Sequence, residues 1–145
     1  SALLHGTGTA AGQMADELAM LLLVLRMLEC TAPRPRPAVR WTTGAVAAVY
    51  VALGWYRLFV LLFILLVGVT VASMRADPAL RRGTPACGAW MVAGFGLWVT
   101  EQTLCARAPA LAWCHVGWHL CTARAGWLFF ACHAQKRARA LHHLL

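Results

Sequence analysis

An all-α, polytopic transmembrane helical bundle is the fold class this sequence predicts, and three observations carry the prediction. The chain of 145 residues is 61% hydrophobic and only 12% charged, where ordinary soluble domains carry about 25% charged residues. A soluble protein of this length has too much surface per unit volume to hide so much apolar material. A bilayer removes that difficulty by solvating the outer faces of helices. Several apolar runs also approach the roughly 20 residues that a helix needs to cross, and the arginines gather between alternate runs.

The elements follow in order. Residues 1–12 hold two Gly-Thr pairs and His5, and read as the tail of a preceding helix and a turn. The apolar patterning then predicts five helices over 14–30, 40–56, 58–75, 86–104 and 110–133. Leu58 to Ser73 contains no charge at all, so the third is the clearest span. Between the first two lies Thr31-Ala-Pro-Arg-Pro-Arg-Pro37, a stiff extended linker because proline fixes the backbone and removes donors. Arg75 to Pro85 forms a second polar connector, while Trp55-Tyr56-Arg57 and Arg107-Ala-Pro109 are short turns. Trp41, Trp55, Tyr56 and Trp113 fall near helix ends, where aromatic rings favour a membrane interface. Met14, Met20 and Met27 read as packing residues. No internal repeat is present.

A net charge of +8 would suggest nucleic acid in a soluble protein, but here the cations sit at helix ends, which excludes that reading. Arg26, Arg34, Arg36 and Arg40 flank one connection, Arg75, Arg81 and Arg82 the third, and Lys136, Arg137 and Arg139 the C-terminal end. The intervening connections hold Arg57 and Arg107 alone. Basic loops stay in the cytosol, so alternate loops and the C-terminus are assigned there. Five helices alternate without conflict. Asp16 and Glu17, rather than basic residues, precede the first apolar run, against a signal peptide. Six cysteines, at 30, 87, 105, 114, 121 and 132, include no CxxC pair and read as small buried hydrophobes rather than a disulfide framework.

Ionisable groups in membrane helices are costly, so each needs a reason. Ser1 and His5 are four apart and share a helix face. Asp16 opens the first complete helix beside Glu17. His115 and His119 are also four apart, near the start of the last helix. Such a pair can hold one metal ion from a single face, or each ring can be satisfied by a carbonyl or hydroxyl. His5 would add a third nitrogen and leave zinc's fourth position open for water, as catalytic zinc requires. The charge rule places Asp16, His5, His115 and His119 in one lumenal layer of the membrane, which favours the metal. Glu101, at the lumenal end of the fourth helix, could back a metal ligand from outside or be merely interfacial, and reads rather as interfacial. His133 reads as facing headgroups, and His142 and His143 as solvated. Arg124, in mid-helix, must snorkel, pair or face a wet cavity.

At these residues the sequence resembles the alkaline ceramidases. S-A-L-L-H-G-T followed by G-Q-M-A-D-E-L-A-M is similar to that family's Ser-x-x-x-His segment and its G-Q-x-x-D-E; C-H-V-G-W-H-L resembles its His-x-x-x-His segment. The resemblance implies zinc ligands at His5, His115 and His119, with Asp16 and Ser1 beside the zinc-bound water as catalytic residues. It implies a seven-helix membrane bundle with the first helix and most of the second lacking here, along with the family's N-terminal acidic Ca2+ site. The implied substrate is ceramide, cut to a sphingoid base and a fatty acid in the endoplasmic reticulum or Golgi membrane. Progestin and adiponectin receptor-like proteins share the Ser-x-x-x-His, Asp and His-x-x-x-His elements, and imply the alternative of a receptor with structural zinc. Their aspartate lies further from the first histidine, whereas Asp16 follows His5 by eleven residues, as in the ceramidases. A third alternative is an inactive truncated paralogue. Glu101 stands where the family pattern near Cys105 has aspartate.

Overall fold

A computed structural model describes residues 9–31, 37–104 and 107–142. It is all-α: among the described residues there are five α-helices, one short 3-10 turn and no strand. The helices are α1 (Ala10–Thr31), α2 (Pro37–Leu53), α3 (Tyr56–Ala76), α4 (Thr84–Leu104) and α5 (Trp113–His142), with the 3-10 turn at Pro109–Ala112. All five predicted helices are present. The chain divides into two compact units, Ser1–Ala76 and Asp77–Leu145.

In the first unit, α1 packs on α3 and α2. It begins four residues before the apolar run because the Thr9 hydroxyl accepts from the Gly12 amide at 3.1 Å, a side-chain cap that satisfies an orphan donor of the first turn. Gly12, Asp16, Glu17, Met20, Leu21, Val24 and Leu25 are buried, at the three- and four-residue spacing of one helix face. Pro37 opens α2, where a missing amide proton costs nothing. Gly54 closes it in the left-handed region, φ +60°, and its amide donates back to the Tyr50 carbonyl at 2.8 Å. The connector predicted at 55–57 is therefore shorter, and Tyr56 and Arg57 already belong to α3. On α3, Phe59, Phe63, Thr70 and Met74 are buried, and Phe59 lies with its ring centroid 6.2 Å from that of Tyr50 and 5.7 Å from that of Phe63.

A polar knot ties α1 to α2. The Tyr50 hydroxyl donates to Glu17 Oε2, while Gln13 Nε2 donates to Glu17 Oε1 at 2.7 Å. Both Glu17 and Tyr50 are buried, so each oxygen needs its donor. Tyr50→Phe removes one and is expected to lower stability by about 1–3 kcal/mol, the cost of stranding a buried acceptor. Thermal unfolding in detergent checks this; an unchanged midpoint would mean the knot carries nothing.

The second unit is a helical hairpin of α4 and α5. Trp118, Cys121, Thr122, Ala125, Gly126 and Phe129 form the buried stripe of α5. Two glycines let the helices approach. A Cβ on Gly94 would lie 2.9 Å from Cys121 Cβ and 3.0 Å from Trp118 Cε3, and one on Gly117 would lie 2.8 Å from Leu97 Cδ1. Small residues at a helix contact let the two backbones approach closely. At the far end, the Asp77 carboxylate accepts from the Ala79 amide at 2.9 Å and from Lys136 Nζ at 2.5 Å. The hydrogen bond from Lys136 holds the Asp77 carboxyl below the usual carboxylate range, against the opposing effect of burial.

α5 runs to His142, nine residues past the predicted end at 133. The extension, A-Q-K-R-A-R-A-L-H, is rich in strong helix formers, and its cations complement the negative end of the helix dipole. Arg124 is exposed on α5. His133 stacks on Phe129, ring centroids 6.1 Å apart. Cys87 and Cys121 are buried as expected, but Cys30, Cys114 and Cys132 are only partly so, and Cys105 lies outside the described residues. Among the described residues one helix, Tyr56–Ala76, is long and apolar enough to cross a membrane. α2 has 17 residues, and α1 carries Asp16, Glu17, Arg26 and Glu29, which is why they fall short by length and composition.

Candidate metal centre

The second unit brings three of its ionisable side chains together at one end of the hairpin. Helical spacing puts His115 and His119 on successive turns of α5, with ring centroids 4.6 Å apart. Their Nε2 atoms face each other at 2.9 Å. His115 Nδ1 lies 2.7 Å from Glu101 Oε2 on α4. All three side chains are largely but not fully buried or half-buried, so the group is neither a core network nor a solvated surface patch.

Two imidazole nitrogens facing each other are donors suited to a metal ion. The facing nitrogens stand 2.9 Å apart, a hydrogen-bond separation, and would open to roughly 3.3 Å around a tetrahedral zinc with Zn–N bonds of about 2.0–2.1 Å. A carboxylate on the opposite nitrogen of a ligating histidine is the common outer partner of such sites. Glu101 occupies that position. Of the two readings open to Glu101, the contact favours the outer partner: its carboxylate is engaged by His115. A single carboxylate near a helix end gives only a weak sequence signal for this, since its partner lies fourteen residues away across a turn.

In the first unit, Asp16 is buried, with 6% of its surface exposed, on the second turn of α1. The buried stripe of that helix includes both carboxylates, Asp16 and Glu17, and Glu17 is held by Gln13 and Tyr50 as described. Asp16, His115 and His119 are each of a type that offers a ligand atom to a metal ion. Ser1 and His5 lie outside the described residues. No family model, curated protein or solved structure matches this chain. The functional reading therefore stands on the site chemistry and on the sequence motifs.

Proposed function

We propose that this chain is a multi-pass membrane amidase that hydrolyses ceramide with zinc, acting in the endoplasmic reticulum or Golgi membrane with its C-terminus in the cytosol. The observation that carries the reading is the His115–His119 pair, whose ring nitrogens converge from successive turns of one helix while Glu101 engages the outer nitrogen of His115. Large apolar side chains stand exposed on helices beyond the clear span: Trp90 and Val92 on α4, Leu120 and Trp127 on α5. Exposed apolar surface on this scale is unusual for a water-soluble monomer and natural for helices in lipid.

His115 and His119, with His5 as the third ligand that the resemblance implies, would hold the ion. Bound there, zinc supplies Lewis-acid polarisation and a more acidic water. Asp16 takes the proton from the attacking water and later delivers it to the departing amine. Its burial suits that work, because a carboxylate away from bulk water keeps the proton for the leaving group. Ser1 donates a hydrogen bond to the oxygen that gains charge as the carbonyl carbon becomes tetrahedral. The amide C–N bond breaks, water's oxygen ends in the fatty acid, and the sphingoid base leaves as the amine. A substrate with two hydrocarbon chains reaches such residues from the bilayer itself.

The reading is tested with the purified protein in mixed micelles containing ceramide. It expects about one zinc per chain by metal analysis and release of free fatty acid, both lost together on chelation and restored by zinc. Zinc-free protein that still releases fatty acid, or zinc-loaded protein that releases none, overturns it.

A further inference from the structure

We infer that Glu101 is a positioning residue: it fixes the tautomer of His115 and thereby presents Nε2 of that ring for metal binding. The inference rests on the zinc reading only for its last step. With Glu101 ionised, the 2.7 Å contact requires a proton on His115 Nδ1, because a carboxylate can only accept. In the neutral ring, Nε2 then carries the lone pair. In that tautomer the 2.9 Å contact between the two Nε2 atoms takes its proton from His119. The two histidines are therefore not equivalent. His115 already offers the nitrogen a metal takes, whereas His119 must shift its proton before it can bind through Nε2.

The packing of the hairpin makes this control rigid. Leu97, one turn before Glu101, sits against Gly117, and Gly94 against Trp118 and Cys121. These close approaches fix the separation of α4 and α5 along the stretch that carries Glu101 and His115. A carboxylate at this place thus reaches the ring without relying on a flexible loop. Held this way, a ligand loses little freedom when the ion arrives, which is how outer partners strengthen metal sites.

The test compares wild type, Glu101→Gln and Glu101→Ala as full chains in detergent. Long-range 15N–1H spectra of histidine-labelled, metal-free protein report each tautomer, and competition with a chelator reports zinc affinity. Wild type is expected to show His115 in the Nδ1–H form and His119 in the Nε2–H form. Glu101→Ala is expected to mix the His115 tautomers and to weaken zinc binding roughly 10–100-fold. Glu101→Gln keeps an accepting oxygen but not the charge, so its loss should be intermediate. An unchanged His115 tautomer in Glu101→Ala overturns the inference, as does undiminished zinc affinity in that variant. If wild type binds no zinc while the tautomer still shifts in the variant, the zinc reading fails and the control of His115 by Glu101 survives.

Discussion

His119→Ala is expected to abolish both stoichiometric zinc and fatty-acid release from ceramide. The variant removes a proposed ligand outright, so its cost must exceed the roughly 10–100-fold in affinity that loss of an outer partner brings. The helix itself should survive, because alanine is the strongest helix former and His119 lies at the edge of the buried stripe formed by Trp118, Cys121 and Thr122. The appropriate control is His133→Ala on the same helix. Its ring stacks on Phe129 two turns beyond the stripe's polar residue Thr122 and has no place in the proposed chemistry, so that variant should keep zinc and turnover. Metal analysis and a ceramide assay on the two proteins decide the matter. Wild-type turnover in His119→Ala removes the histidine pair from any catalytic role.

Why the pair was plainer in the sequence than its carboxylate is a matter of range. Residues four apart on a helix are neighbours whatever else the chain does, so the facing of His115 and His119 follows from local geometry alone. Glu101 meets His115 only because α4 and α5 pack as a hairpin, and that contact depends on where the chain turns. The same distinction separates Thr9, whose cap acts three residues away and could have been read from its position before α1, from the bond between Tyr50 and Glu17, thirty-three residues apart. Helix existence was legible throughout, because long apolar runs broken by Pro, Gly and Arg leave few alternatives. Boundaries were less so. α5 outruns its apolar stretch since Ala, Gln, Lys and Arg favour helix without being apolar, and hydropathy registers only the second property. The clear span at Tyr56–Ala76 matches the one run recognised from its lack of charge. For α1, the buried Asp16 and Glu17 that make the helix chemically interesting are also what make it read poorly as a span.

Gly94→Leu should force α4 and α5 apart and destabilise the hairpin. Even a Cβ at this position comes within 2.9 Å of Cys121 Cβ and 3.0 Å of Trp118 Cε3, and both partners are buried, at 7% and 3% exposure. Neither is the free end of a flexible chain, so α4 and α5 must move apart to admit a leucine. Overpacking of this kind costs typically about 1–3 kcal/mol, here offset in part by roughly 1 kcal/mol because glycine is a poor helix former. Gly96→Leu separates the two effects, since nothing lies within 4 Å of a Cβ at Gly96 and the residue is exposed. That variant gains the propensity without the clash, and its melting temperature should hold or rise. Gly94→Leu should melt lower than wild type. Because Glu101 lies two turns further along α4, spreading the helices at Gly94 should also break its contact with His115 and mix that ring's tautomers. Equal melting of the two leucine variants would show that the close approach at Gly94 contributes nothing, and with it would go the physical basis for a rigid carboxylate behind His115.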